Sequence, residues 1–299
     1  MPDAELLGRF QSCRRYLEAK SWQKPLLGPQ RFIANQLRKR GLRSLPPGSL
    51  RQAATFHLPD FTIVEGEIVS EELLSYSLFE PDLTEAFLHL VKPGQIVCDV
   101  GMHLGYYSTL FAVLAGGSGR VHSFEPTPST REIALNNTKR FPQITVHPLA
   151  LWSSAKTVTL RDYGLKYMGF NSLRQAKLDE EPAEPKQISV QAITLDQFRA
   201  TLGPKDKISL IKIDAESAER DILAGGRELL RTDKPFISVE VGDCKNSVES
   251  RLLVDDFRSL DYIPWEFRNG KFARHETRHR YSYDNLIFTP DTADLSSLA

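Results

Sequence analysis

IVCDVGMHLGYYS, residues 96–108, is the stretch that decides the fold of this chain. Its apolar run stops at Asp99 and Gly101, Gly105 follows four residues later, and an apolar helical pattern then begins. This order predicts a strand, a tight turn and a helix. Such a turn lets backbone N–H groups and the first turn of a helix approach a ligand, so we expect a binding site here.

The acids and glycines around this turn indicate which ligand it accepts. A dinucleotide turn needs G-x-G-x-x-G, whereas residues 99–105 read D-x-G-x-x-x-G and lack the middle glycine. Asp99 at the strand end suits a cationic amino group better than a pyrophosphate. Twenty residues after Gly105, a second predicted strand ends at Glu125, whose carboxylate suits both hydroxyls of a ribose. A nucleoside that carries an amino acid, S-adenosylmethionine, meets both requirements.

Several spaced motifs also carry a family resemblance. They are DVGMHLGYYS at 99–108, FEP at 124–126, TLD at 194–196 and IKIDAESAE at 211–219. In this order they resemble the FkbM-type methyltransferases, whose first and last motifs usually read D-V-G-A-N-x-G-x-Y-S and K-I-D-V-E-G-A-E. The resemblance covers about residues 66–288.

The resemblance implies a fold and an activity. The fold is α/β, a Rossmann-like class I methyltransferase with a mostly parallel seven-stranded sheet and helices on both faces. The activity is in-line transfer of a methyl group from S-adenosylmethionine to a hydroxyl of a sugar, a glycolipid or a polyketide-type metabolite. Independently of the resemblance, short β-rich runs that alternate with helical periods predict a parallel sheet with crossovers.

The chain departs from the family pattern at two places. Met102 and His103 stand where Ala-Asn is usual, and Ser217 stands where glycine is usual. Histidine tolerates a left-handed backbone better than most residues, as asparagine does, so we expect the turn to be retained. The departures leave open a non-catalytic binding protein on the same scaffold. A dinucleotide-dependent oxidoreductase is the other alternative, and the missing middle glycine argues against it.

The sequence patterns place the elements as follows. Strands are predicted at 96–100, 121–125, 144–148, 208–213 and 236–241, with helices at about 105–115, 128–140, 217–230 and 247–259. Flanking elements are short strand-like runs at 61–64 and 68–69, a helix at 82–91 and a terminal antiparallel pair at 262–267 and 286–288.

Two units are predicted along the chain. Residues 1–60 form a basic, mainly helical N-terminal extension broken at Pro25 and Pro29, and residues 61–299 form the methyltransferase domain, with a β-hairpin insertion at about 157–193. Residues 1–52 hold 11 Lys and Arg against three acids, although the whole chain has zero net charge. Packing of this arm on the acidic body is the favoured interpretation. Peripheral contact with a membrane or a glycolipid is the alternative, and no nucleic acid partner is expected.

The candidate catalytic residues follow the fourth core strand or lie in the glycine turn. Methyl transfer to a hydroxyl needs a base, and Asp214 and Glu216 stand where ligands bind in open parallel sheets. Asp214 as a simple helix cap is the competing interpretation, and Glu219 is assigned to the helix end. His103 is a third candidate base, although filling the turn is favoured for it. Lys212 and Asn171 are candidate substrate contacts, each with a structural alternative: a salt bridge to Asp214 and a turn.

The candidate cofactor residues come from the glycine turn and the second strand. They are Asp99, Gly101, Gly105, Tyr107, Ser108 and Glu125. Core packing is an equal alternative for Tyr107.

One further motif is interpreted as non-functional. Residues 275–279 read H-E-x-x-H, a metalloprotease signature, but arginines replace the apolar face that such a helix needs. We therefore expect a polar loop and no metal site.

Composition limits the remaining choices. Cys13, Cys98 and Cys244 are few and scattered, which indicates a reducing compartment. The chain has no apolar run as long as a membrane span and no basic-then-apolar start, so a cytoplasmic protein is expected. The expected partner is a small-molecule or glycan hydroxyl acceptor, and a homo-oligomer is a further hypothesis.

Overall fold

The computed structural model describes residues 3–42, 44–173, 184–215, 217–242, 248–282, 284–296 and 298. The helices are α1 (Ala4–Glu18), α2 (Lys24–Leu27), α3 (Pro29–Lys39), α4 (Ile68–Tyr76), α5 (Pro81–Leu90), α6 (Tyr106–Ala115), α7 (Pro128–Thr138), α8 (Leu195–Ala200), α9 (Glu219–Ala224), α10 (Arg227–Thr232) and α11 (Val248–Arg258). The strands are β1 (Leu50–Ala53), β2 (Phe61–Val64), β3 (Ile96–Val100), β4 (Arg120–Phe124), β5 (Ile144–His147), β6 (Ala150–Leu151), β7 (Lys156–Asp162), β8 (Lys186–Ile193), β9 (Ile208–Ile213), β10 (Phe236–Val241), β11 (Tyr262–Arg268), β12 (Lys271–Arg274) and β13 (Asp284–Pro290).

One large sheet organises the chain, in the order β12-β11-β13-β10-β9-β3-β4-β5. The five strands from β10 to β5 pair in parallel, whereas β13, β11 and β12 pair antiparallel. The Rossmann-like α/β architecture is confirmed, as is the terminal antiparallel pair. Among the described residues the sheet has eight strands instead of the expected seven, and only four of its seven pairings are parallel. The extra strand is the edge strand β12, a four-residue stretch exposed at three positions.

The two faces of the sheet bury separate cores. Alternate residues of β3 point to opposite faces: Val97 joins the core that holds Phe87 of α5 and Phe111 of α6. Cys98 joins the other core, with Phe257 of α11. Helices therefore cover both faces. The strands read as continuous apolar runs because both of their faces are buried.

The strand order reverses between β3 and β9. Chain order runs outward to β4 and β5 on one side of β3, and to β9 and β10 on the other. Ligands bind at such a switch point, beyond the carboxyl ends of the strands. Gly101 directly follows β3 and Asp214 directly follows β9. The candidate site residues therefore meet at the position that the fold favours for binding.

Two local predictions are wrong. The strand-like run at 68–69 is the first turn of α4, because the Glu67 carboxylate caps it by accepting hydrogen bonds from the amides of Val69 and Ser70. The single helix at 217–230 is two helices, α9 and α10, separated by Gly225 and Gly226. A Cβ on Gly225 would stand 2.3 Å from the carbonyl oxygen of Trp152, so close backbone packing interrupts the helix there.

Smaller sheets flank the large one. β7 and β8 pair antiparallel across the insertion, and β6 adds a parallel strand to β8. β1 and β2 pair antiparallel, and this ladder links residues on either side of position 60. The division of the chain into two units at that position stays a prediction. Cys244 lies outside the described residues.

The N-terminal helices pack on the body through named contacts. Arg14 of α1 forms ion pairs with Asp82 and Glu85 of the α5 segment. Arg31 of α3 donates hydrogen bonds to the Tyr76 carbonyl at the end of α4 and to the neighbouring Ser77 hydroxyl. Part of the basic charge is therefore used in self-packing. Within the described residues, no helix is long and apolar enough to cross a bilayer.

Candidate active site

A cavity of about 500 Å³ opens at the carboxyl ends of β3, β4 and β9. Among the predicted site residues, its lining includes Gly101, His103, Tyr107, Glu125, Asn171, Lys212 and Asp214. Asp99, Gly105 and Ser108 are not part of the lining, and Glu216 lies outside the described residues. The volume is in the range of small-molecule sites.

The glycine turn is held by backbone contacts between three strand ends. Gly101 has φ +77°, and a Cβ there would stand 1.8 Å from the carbonyl oxygen of Asp214. The amides of Gly101 and Met102 donate to the Phe124 carbonyl at the end of β4. His103 adopts φ +52°, which confirms the expected left-handed backbone at that position. The turn therefore survives the replacement of asparagine by histidine.

Lys212 lies at the centre of a buried charge cluster. Its Nζ is 3.1 Å from Asp214 Oδ2, 3.7 Å from Asp99 Oδ1 and 5.1 Å from the centroid of the Tyr107 ring. Burial alone would lower the pKa of Lys212, but the neighbouring carboxylates, Asp214 first, raise it above its ordinary value. The lysine is therefore charged at neutral pH. The predicted salt bridge between Lys212 and Asp214 is present, and the lysine also lines the cavity.

Asp99 and Ser108 contact this cluster from outside the cavity lining. Asp99 is fully buried, and its Oδ2 accepts a 2.6 Å hydrogen bond from the Ser108 hydroxyl. Burial raises the pKa of Asp99, while Lys212 and Ser108 act in the opposite direction. In the structure Asp99 lies beside the Lys212 ammonium, whereas the sequence interpretation had Asp99 bind the amino group of a ligand.

Glu80 is a site residue that sequence reasoning missed. It lines the cavity, and its carboxylate accepts hydrogen bonds from the Tyr107 hydroxyl at 2.8 Å and from Asn285 Nδ2 at 2.6 Å. Burial first, and then the charge of Asp214, raises the pKa of Glu80. Its one sequence signal is its position just before Pro81, where α5 starts. Nothing in the sequence links it to Asn285, which lies 205 residues away.

Glu125 stands where β4 ends, as predicted. Its side chain is nearly buried, and its oxygens accept hydrogen bonds from the amides of His103 and Thr127 at 3.2 and 2.9 Å. Burial raises its pKa, and these hydrogen bonds act against the rise. A carboxylate has about four acceptor positions, so a cavity-lining Glu125 can still accept from ligand hydroxyls.

His103 and Asn171 approach the cavity from different sides. His103 Nε2 is 3.9 Å from Glu67 Oε1 and is buried without a hydrogen-bond partner among the described residues. Asn171 Oδ1 accepts a hydrogen bond from the Tyr163 amide at 2.8 Å. Its buried Nδ2 has no hydrogen-bond partner among the residues that the structure describes. Both residues combine a structural contact with an unused polar nitrogen beside the cavity.

The H-E-x-x-H segment has a structural role. It is irregular and lies between β12 and β13. His275 is buried, with Nδ1 2.6 Å from Glu266 Oε1 and Nε2 2.7 Å from the Tyr281 hydroxyl. Both ring nitrogens are thus engaged. Among the described residues, no group of three or more His, Cys, Asp or Glu side chains is arranged to hold a metal ion.

Ser217 carries backbone strain that a glycine would remove. It is a non-glycine residue at φ +79°, and its amide donates to Glu219 Oε1 at 3.1 Å. Ser217→Gly should raise the free energy of unfolding by about 1 kcal/mol, because the left-handed region costs a residue with a Cβ about 1–2 kcal/mol. Urea denaturation checks this, with Ser217→Ala as the control that keeps the strain. Equal stabilities of the two variants would contradict the strain argument.

The cavity fits S-adenosylmethionine. Glu125 suits the ribose, and Phe124, Leu149 and Leu151 offer apolar contact for a base. Glu80, Lys212 and Asp214 add polar groups to the same lining. The family model described as the methyltransferase FkbM domain matches residues 99–264, more than half of the chain.

The chain belongs to the FkbM methyltransferase family. The family and the Rossmann-like fold agree with the sequence prediction, and S-adenosylmethionine is the cofactor that membership of this methyltransferase family implies.

Individual FkbM relatives are distant. A 31-O-demethyl-FK506 methyltransferase FkbM from Streptomyces tacrolimicus is 28% identical over 159 residues, which cover 45% of this chain and 60% of that protein. The match thus spans less than two thirds of the relative. The solved FkbM methyltransferase of Methylobacillus flagellatus KT is 14% identical with a TM-score of 0.42, over 95% of this chain and 58% of that one. A SAM-dependent O-methyltransferase from Thermotoga maritima is 11% identical with a TM-score of 0.40, over 87% and 82%.

Proposed function

We propose that this FkbM protein methylates a hydroxyl group of a sugar, a glycolipid or a polyketide-type metabolite. The observation that carries the proposal is that two carboxylates, Glu80 and Asp214, line the same cavity as the charged Lys212. A hydroxyl must lose its proton as it attacks, and a carboxylate within hydrogen-bond reach can take it. The name of the Streptomyces relative, which refers to an O-demethyl substrate, agrees with an oxygen acceptor.

The residues have distinct roles in this proposal. S-adenosylmethionine, when bound, supplies an electrophilic methyl group on a sulfonium sulfur. Glu125 binds the ribose hydroxyls. Asp214, whose side chain is 35% exposed, takes up the proton that the substrate hydroxyl loses. Glu80 is held by Tyr107 and Asn285 and positions the acceptor. Most of the rate gain comes from holding nucleophile, methyl group and leaving sulfur in line.

Cofactor binding provides the first test. S-adenosylhomocysteine at a hundred times its dissociation constant should raise the free energy of unfolding by about 2.7 kcal/mol, whereas NAD and NADP should not. Glu125→Ala should weaken this binding by roughly 10- to 100-fold, because a hydrogen bond to a charged group contributes about 1.5–3 kcal/mol. Titration calorimetry measures the affinity, and the exposed Glu132→Ala in α7 is the control. Stabilisation by a nicotinamide cofactor alone would refute the assignment.

Turnover provides the second test. With an acceptor found by screening hydroxylated metabolites, Asp214→Asn should lower kcat by about 10²- to 10⁴-fold and leave S-adenosylhomocysteine affinity within threefold. The measurement is S-adenosylhomocysteine formation. Glu80→Gln is the comparison, since its amide oxygen can still accept from Tyr107 or Asn285. Full activity in Asp214→Asn together with a large loss in Glu80→Gln would move the base to Glu80. Cofactor binding without turnover on any acceptor would favour a non-catalytic protein.

A further inference from the structure

Residues 19–59 have an unusual charge composition. This stretch contains eight Lys and Arg and no Asp or Glu. It includes α2, α3 and β1, and the side chains of Lys20, Lys39 and Arg40 are exposed. Arg38 and Arg51 pair with Glu71 and Glu65 outside the stretch, so the exposed Lys20, Lys39 and Arg40 supply its positive surface charge.

The same stretch concentrates exposed apolar side chains. Eleven large hydrophobic residues are exposed in the described part of the chain, and seven of them lie between positions 19 and 59. They are Trp22, Leu26, Leu27, Ile33, Leu42, Leu45 and Leu50. Trp22 is 68% exposed and Leu26 is 80% exposed, and both line one surface groove together with Leu27. We call these seven residues, together with the exposed Lys20, Lys39 and Arg40, the arm face.

The arm face is fixed to the body of the protein. Arg14 engages both acids of the groove, Glu18 and Glu85, and also Asp82. Each of these three acids is thus in an ion pair within the molecule. Arg38 of α3 donates to the Ser75 hydroxyl of α4, and Asn35 donates to the Ser75 carbonyl. Within the arm, α3 is therefore packed against α4.

We propose that the arm face docks on the surface of an anionic lipid bilayer. Trp and Leu side chains beside basic residues are the composition of surface-bound helices, in which the apolar groups enter the interface and the cations contact lipid phosphates. Each Lys or Arg near an anionic leaflet strengthens binding roughly fivefold. A second copy docked arm on arm would instead bring the exposed Lys20, Lys39 and Arg40 of both copies near one another, and like charges repel.

The arm face is connected to the cavity through α4. α3 holds the C-terminal end of this helix, whereas Ile68 and Val69 at its N-terminal end line the cavity, and Ile68 is 63% exposed. Docking therefore brings the cavity-lining helix close to the lipid surface. If the proposed function holds, an amphiphilic acceptor reaches the site from the bilayer. The docking itself does not depend on that function.

Sedimentation with vesicles tests the proposal on the full chain. Phosphatidylcholine vesicles with 30% phosphatidylglycerol should carry the protein down at about 0.1 M salt and release it at 0.5 M, while pure phosphatidylcholine should not bind it. Trp22→Ser/Leu26→Ser should weaken binding at least about 10-fold, because two large apolar groups leave the interface. Lys20→Glu/Lys39→Glu/Arg40→Glu should weaken it at least about 100-fold.

A matched control distinguishes docking through the arm face from non-specific hydrophobic binding to vesicles. Leu135→Ser/Leu252→Ser removes two exposed leucines outside the arm face and should keep binding within twofold. Circular dichroism of each variant confirms that it is folded. The proposal is overturned if the wild type does not bind anionic vesicles, or if the control pair loses as much binding as the arm pair. Dimers seen by light scattering, abolished by the arm pair, with no vesicle binding, would identify a second copy as the occupant.

Discussion

Gly101→Ala should leave little folded protein, with a loss of at least about 4 kcal/mol in the free energy of unfolding. The new Cβ would stand 1.8 Å from the carbonyl oxygen of Asp214, and the residue is held at φ +77°. The obstructing atom belongs to backbone, so no rotamer change relieves the clash. The Asp214 amide also donates to the Val100 carbonyl at 3.0 Å, so the two strand ends cannot separate without losing that hydrogen bond.

Two other glycines separate the contribution of backbone strain from that of the steric clash in Gly101→Ala. Gly116 has φ +67° and ψ −174° with open space around its Cβ position, so Gly116→Ala measures backbone strain alone, about 1–3 kcal/mol. Gly117 has neither strain nor a close neighbour, so Gly117→Ala should be within 0.5 kcal/mol of wild type, roughly as for surface changes. Urea denaturation followed by circular dichroism gives all three values. A Gly101→Ala loss no larger than that of Gly116→Ala would show that the β3 and β9 ends are not in close contact.

Lys212→Met should cost about 3–5 kcal/mol of stability, because it leaves Asp99 buried without its cation. The loss should also depend on pH. Burial raises the pKa of Asp99, and without the lysine this carboxyl must take up a proton as the protein folds. The folded state then binds more protons than the unfolded state above the ordinary pKa of aspartate. Stability therefore falls as pH rises, and the deficit should be larger at pH 8 than at pH 5.

Denaturation of Lys212→Met at both pH values measures this, with Lys207→Met, an exposed lysine just before β9, as the control. Asp99→Asn/Lys212→Met should recover part of the loss and most of the pH dependence, since the unpaired charge is gone. If the double variant is as unstable as Lys212→Met and as sensitive to pH, the deficit does not come from Asp99. The pairing described for the cluster would then be wrong.

The central strands were predictable because they are buried on both faces. β3, β9 and β10 read as short apolar runs with a clear end, and their observed bounds agree with the predicted ones. Edge strands and helix caps were harder to predict from the sequence. β12 is short and mostly exposed, so it has no apolar signature. The Glu67 cap turned the apolar pair at 68–69 into a helix start, an effect that a strand pattern does not reveal.

By itself, the sequence determined the glycine turn, the acids at the ends of β4 and β9, the family and thereby the cofactor, because these signals are local along the chain. Only the tertiary structure decided which charges meet. It turns Asp99 toward Lys212, ties Glu80 to Asn285 and gives Gly101 its close neighbour at Asp214. Each of these contacts joins separate elements, and the distances that decide them arise when β9 lies beside β3 and the C-terminal strands complete the sheet.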